Sequence, residues 1–342
     1  MRFLEVISAS SGVRMLGVGL RRFGPPSVVA LSLAMALYCL GLLVAPLHFH
    51  SAQIFFAFET IGLEDLARAW RSRVLSLWAA RWLADAYPLL PQFATSLPGL
   101  GWQTIAIAQW LALWFLGIAA VCIAAYRERA LFQILGTYAC VVFGYSVGPD
   151  LRIYPWDMPA LAVFALVVAL VHRERSPHWI LLAIWIGMGF KETAAVLSLF
   201  PLALDLSWRR RLLWAGATLL GCALVKVGID VATQNSAVGF TMAFDSFYDE
   251  GPLWWWNLRE LGEGYPLAIN GGTLLAFLLL PNANRTLVTF KLIALTFFAG
   301  NFLFGVITEY RVWFEMIPLA LYGLEWSLLR PGASDAEART LG

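Results

Sequence analysis

The sequence predicts an all-α integral membrane protein: a bundle of about ten membrane helices, two of them short, with an amphipathic helix in a long first external loop. Three observations predict it. Hydrophobic residues make up 60% of the 342, with a mean hydropathy of +0.71. Charged residues are only 13%, where a soluble domain carries about 25%. The apolar residues also fall in runs long enough to span a bilayer, and several Trp stand near run ends, where amphipathic rings favour the membrane interface. A net charge of +2 gives no excess of either sign to draw a nucleic acid. Cys39, Cys122, Cys140 and Cys222 lie within apolar runs without metal-ligand spacing, so they read as small packing residues.

Residues 1–26 carry Arg2, Arg14, Arg21 and Arg22 among Leu4, Ile7, Val13, Leu16 and Leu20, which predicts a short interfacial helix on a basic, cytoplasmic side. A first span follows at about 28–46. No cleavage site stands out, so the arm reads as retained rather than as a signal peptide. The region 47–100 is non-spanning. From Leu63 to Ala86 its apolar residues recur at helical period, with Leu66, Trp70, Val74, Leu77 and Trp78 on one side, so this helix lies along the membrane.

Further spans are expected at about 101–125, 130–148 and 156–171. The run 179–206 is too long for one span and holds Lys191 and Glu192 at its middle. It therefore splits into two short helices, 179–190 and 193–206, meeting at the charged pair, as broken helices do where backbone lines a cavity. The basic stop WRRR at 208–211 precedes a span at 212–233, in which Lys226 and Asp230 are four apart and suited to an internal ion pair. A Trp-rich loop, 234–265, leads to spans at 266–281, 286–308 and 312–329 and a polar tail, 331–342, expected to be disordered. Residues 1–330 form a single polytopic domain on this reading.

The connections fix an orientation. With the N-terminus inside, the inside segments are the arm, YRER, HRERSPH, WRRR, NANR and the tail, each with at least one Arg. This is the positive-inside pattern, and the even span count puts the C-terminus in the cytoplasm too. The other polar clusters then share the outer face: the first loop, Asp150–Asp157, the Lys191-Glu192 break, the Trp-rich loop and Glu309-Tyr310-Arg311. Ionisable groups inside apolar segments are expensive, so this clustering predicts a functional cavity opening outward.

Each charged residue also has a plainer reading. Lys191 and Glu192 could hold a substrate phosphate, or pair with Asp157, Arg152 or each other. Asp157 precedes Pro159 and suits a helix cap. Arg311 and Glu315, four apart, suit an ion pair, and Glu64 and Asp65 suit the positive end of a helix. Trp254–Trp256 could anchor the interface or stack on a sugar. His48 and His50, one residue apart, make a poor metal pair, and His172 and His178 belong to the opposite side.

Three segments carry a resemblance: Tyr154-Pro-Trp-Asp157-Met-Pro159, Lys191-Glu192-Thr193, and Glu309-Tyr-Arg311-Val-Trp-Phe-Glu315-Met-Ile-Pro318. In that order, after a long first loop containing RSRVLSLWAARWL, they resemble the bacterial multi-spanning proteins of the GT-C glycosyltransferase superfamily. The resemblance implies a GT-C-like bundle in the bacterial inner membrane that transfers a sugar from a polyprenyl-phosphate donor at the outer face. It implies a catalytic carboxylate in the first loop, for which Glu59, Glu64 and Asp65 are the candidates. The substrate-binding candidates are Arg71, Arg73, Asp150, Arg152, Asp157, Lys191, Glu192, Glu309, Arg311 and Glu315. A carboxylate beside the acceptor hydroxyl acts as general base, and cations stabilise the departing phosphate, Arg through a bidentate fork and Lys as a point charge. A divalent metal remains an open helper, with no metal ligands assigned. The first loop departs from the family in lacking an adjacent acidic pair at its start, and Glu64-Asp65 stands well inside it. That departure supports an alternative, a non-catalytic subunit that packs against membrane-protein partners.

Overall fold

The computed structural model describes residues 30–32, 34–35, 73, 75–79, 82, 102–147, 154–233, 252–262, 277–280, 282, 284–304 and 310–329. Among the described residues the chain is helical, without a strand. The helices are α1 (Trp102–Tyr126), α2 (Ala130–Val147), α3 (Asp157–His172), α4 (Pro177–Phe190), α5 (Trp208–Ala232), α6 (Leu253–Gly262), α7 (Arg285–Phe304) and α8 (Ile317–Leu329). Two long 3-10 helices, Glu192–Ala203 and Tyr310–Met316, join them. The N-terminal arm, the tail and most of the spans expected at 28–46 and 266–281 lie outside the described residues.

Among the described residues three segments, Gln109–Tyr126, Trp208–Ala232 and Arg285–Leu303, are long and apolar enough to cross a membrane. The outer surface agrees. On α5 only Thr218, Gly221 and Cys222 are buried, and Leu213, Leu220, Leu224, Val227 and Val231 are all more than half exposed. A stripe of that size facing water would be an aggregation site, whereas facing acyl chains it costs nothing. Exposed Trp residues flank the apolar surface, Trp179 and Trp208 at one end and Trp78, Trp82 and Trp255 at the other. The pair within α5 forms as its spacing predicts, with Lys226 donating to Asp230 at 2.5 Å. It stands 18–22 residues beyond Trp208, roughly 27–33 Å along the helix, a distance comparable to the apolar thickness of a bilayer.

At the centre is α3. Its sequence between Asp157 and His172 has no polar side chain, so it has no face to offer water, and 13 of its 16 residues are buried. It packs on α1, α4, α8 and both long 3-10 helices. Around it the chain bends at Lys191, where the backbone leaves α4 in an extended conformation (φ −159°, ψ 135°). The expected break is therefore present, but its second arm is a 3-10 helix with Pro201 inside it, not an α-helix.

The two arms double back on each other. Ser176 and Pro177 at the start of α4 and Ala203 at the end of the second arm line one cavity, so Lys191 is the tip of a hairpin. Gly187 sits where this hairpin meets α3. A Cβ there would lie 2.6 Å from Val163 Cγ1 and 3.0 Å from the Ala194 Cβ, so no side chain fits without separating the elements. The arms are matched in reach: 14 α-helical residues rise roughly 21 Å and 12 residues of 3-10 helix roughly 24 Å. Both fall short of the roughly 30 Å apolar thickness of a bilayer.

Other expectations are corrected. The basic run 209–211 belongs to the first turn of α5, which starts at Trp208, and the last span begins as 3-10 helix before α8. In the surface helix, residues 75–79 are helical, but Leu77 and Trp78 do not share a side: Leu77 is 2% exposed and Trp78 is 61% exposed. Leu77 packs into the bundle, and Trp78 stays on its outer surface. Leu66, Trp70 and Val74 lie outside the described residues.

Candidate functional site

The hairpin tip gathers residues from four distant parts of the sequence. Lys191 is 5% exposed because α4 ends one residue before it and the extended backbone turns its side chain into the bundle. Its Nζ donates to Glu315 Oε1 at 2.5 Å and lies 4.0 Å from Asp157 Oδ1. Asp157 and Glu315 are each 1% exposed. The Thr193 hydroxyl stands beside the Glu315 carboxylate. A lysine is thus held between two buried carboxylates, and with all three ionised the trio carries one surplus negative charge.

Asp157 does not cap α3. It is the first residue of the helix, after Trp156 at the N-cap, and its Oδ2 accepts the backbone N–H of Tyr154 at 3.3 Å. The carboxylate therefore reaches back to the preceding turn and across to Lys191. Glu315 likewise reaches across the bundle, to Lys191, and its expected partner Arg311 is described only as backbone. The stretch 310–316 that carries it is 3-10 helix, with three residues per turn. Gly144 on α2 admits this stretch, because a Cβ there would meet Phe314 Cε1 at 2.4 Å.

Glu192, the next residue after Lys191, faces the other way. Its carboxylate takes both arms of the Arg73 guanidinium, Nη2 to Oε1 at 3.1 Å and Nε to Oε2 at 3.3 Å. Arg73 also lies 4.2 Å over the Trp156 ring, which in turn stacks on Tyr154 at 4.9 Å. Two further contacts seat the helix that follows: Ser76 donates to the Phe190 carbonyl at 3.2 Å, and Leu75 fills the space over Gly189. The first loop is in this way pinned to the hairpin tip. Lys191 and Glu192 are adjacent in sequence and belong to two layers, a buried trio beneath and a rim pair above, where the Glu192 side chain is 39% exposed.

Of the predicted site residues, Arg73, Asp157, Lys191, Glu192 and Glu315 come together here. Glu59, Glu64, Asp65, Arg71, Asp150, Arg152 and Glu309 lie outside the described residues, and Arg311 is described only as backbone. In the Trp-rich segment, Asn257 is fully buried and donates to the Phe302 carbonyl at 2.7 Å, which fixes α6 on α7 and leaves Trp255 outward at 52% exposure. Among the described residues no group of three or more His, Cys, Asp or Glu could hold a metal ion.

Sequence reasoning passed over a third buried acid. Glu325 on α8 is 4% exposed and accepts from Arg129 Nη1 at 2.8 Å and Gln133 Nε2 at 2.7 Å. The signal was present: a carboxylate inside the apolar run IPLALYGLEWSLL requires a buried partner. This pair lies at the opposite end of the bundle, where Arg173 also donates to the Ala124 carbonyl.

Comparison with protein-family models, with curated proteins and with solved structures finds no match for this chain.

Proposed function

We propose that the protein transfers a sugar from a polyprenyl-phosphate donor, with the reaction centred on the hairpin tip. The reading rests on the resemblance of the three motifs, and one observation carries it furthest. The motif residues Asp157, Lys191, Glu192 and Glu315 all gather at the hairpin tip, and Arg73 of the first loop pairs with Glu192 there. Glu64 and Asp65 precede Arg73 by nine and eight residues, close enough in sequence to reach the same place.

On this reading Arg73 is the donor-binding cation. Its fork already holds a carboxylate in two-point contact at the rim, and a phosphate presents the same geometry. The donor phosphate displaces Glu192 from Arg73. The bond between sugar C1 and the phosphate oxygen breaks, the acceptor oxygen bonds to C1, and the acceptor proton passes to a first-loop carboxylate. The departing phosphate takes the electron pair, and Arg73 stabilises the charge. Lys191 does not contact the donor here. It holds Asp157 and Glu315, and so sets the position of the tip.

A second reading has its own support. Both cations of the cluster, Arg73 and Lys191, already have carboxylate partners, as in a scaffold that only packs against other membrane proteins. One experiment separates them. Native mass spectrometry of the gently extracted protein, supplied with undecaprenyl monophosphate, should show a bound lipid that Arg73→Ala removes and Lys191→Met weakens less. A stoichiometric protein partner with no such lipid bound would replace the transferase with the scaffold.

A further inference from the structure

At the end of the bundle away from Lys191 lies a cavity of about 810 Å³. The turn after α3, the start of α4, the loop after the second hairpin arm and the start of α7 surround it. Its floor is aromatic. Tyr322 is 6% exposed and stacks on Trp326 at 6.4 Å with the rings 20° apart. His172 also lines it, and its ring contacts Tyr126 and Tyr322. Four charged side chains stand at its rim, two of each sign: Arg175 and Arg285, Glu174 and Asp205. All four are exposed, and the one salt bridge among them, Arg285 to Asp205, is loose at 3.6 Å.

Glu174 occupies an unusual position. It closes α3 with φ at 49°, its N–H bonding to the Val171 carbonyl and the Arg175 N–H to that of Leu170. This left-handed helix ending normally takes glycine, since a side chain there carries a conformational cost. The chain places a carboxylate at the cavity rim in spite of that cost.

We propose that this cavity binds the zwitterionic headgroup of a phosphatidylethanolamine-type phospholipid from the adjacent leaflet. The charges match it in sign, with two cations for its one phosphate and two carboxylates for its one ammonium. The phosphate faces Arg175 and Arg285, the ammonium faces Glu174 and Asp205, and the aromatic floor takes the glycerol and the first methylenes. A purely anionic headgroup would meet two carboxylates, and a soluble phosphate ester would leave the floor unused. Trp179 and Trp208, exposed near the start of α4 and α5, hold this end at headgroup level.

The test is lipid retention. The protein is reconstituted in bilayers of equal phosphatidylethanolamine and phosphatidylglycerol, partly delipidated, and read by native mass spectrometry. The wild type should retain phosphatidylethanolamine in preference by about fivefold to tenfold, the size that two exposed ion pairs supply. Arg175→Gln with Arg285→Gln should abolish retention, and Glu174→Gln with Asp205→Asn should reverse the preference. All four side chains are at the surface, so the variants should keep wild-type elution and melting. The proposal fails if the wild type retains no lipid or prefers phosphatidylglycerol, or if both double variants keep wild-type selectivity. It fails as a lipid site if soluble phosphoethanolamine displaces the lipid at equal concentration.

Discussion

Asp157, Lys191 and Glu315 are each 5% exposed or less, and the two bonded partners among them are 2.5 Å apart. At the other end of the bundle Glu174, Arg175, Asp205 and Arg285 are all exposed around a cavity, and their one ion pair spans 3.6 Å. Both groups combine carboxylates with cations in the same chain. The difference lies in what surrounds them. In the first, neighbouring helices replace water, so each charge depends on its partner. In the second, water solvates every charge, so the rim can change partners at little cost. A ligand that needs ready exchange suits the second setting, and a fixed geometry suits the first.

Removing one member of the buried trio breaks this comparison most sharply. Lys191→Met leaves two carboxylates facing each other without a cation and should cost about 3–5 kcal/mol, read as a lowered melting temperature in detergent. Adding Glu315→Gln should restore a large part of that loss, and an equal loss in both variants would show that the ammonium packs rather than pairs. Next is Glu325→Ala, which strips Gln133 and Arg129 of their acceptor. About 1–3 kcal/mol is expected, toward the low end because Arg129 can still reach water, with the same melting assay as the check.

Smaller effects sharpen the contrast. Glu174→Gly should stabilise the protein by about 1 kcal/mol, because glycine relieves the left-handed backbone, while weakening lipid retention. A loss of stability there would remove the strain argument. Arg73→Ala should cost only about 0.5–1 kcal/mol, since Glu192 is partly exposed, yet it should speed limited proteolysis between residues 60 and 90 several-fold. Unchanged cleavage would mean that Ser76 and Leu75 hold the first loop on their own.

The parts of this architecture legible in the sequence are those set by short-range periodicity and by the cost of charge in lipid. The runs behind α1, α2 and α3, the break at Lys191 and the Lys226–Asp230 pair are all of this kind. The choice of 3-10 over α-helix was not legible, because it depends on how Glu192–Ala203 packs between α4, α5 and α7. Asp157 had two readings in the sequence, a cap and a partner for Lys191, because a local cap and a contact with a lysine 34 positions away suit the same residue, and the structure takes the second. The convergence of Arg73 on Glu192 joins positions 119 apart, beyond any local pattern.

The second arm of the hairpin touches both regions compared above: Glu192 meets Arg73 at its start, and Ala203 lines the cavity at its end. Twelve residues wound as 3-10 helix reach roughly 24 Å, and the same twelve wound as α-helix reach roughly 18 Å. Rewinding would shorten the arm by about 6 Å and turn Glu192 away from its partner. The 3-10 winding is therefore what lets one short segment reach from the seat of the first loop to the rim of the cavity.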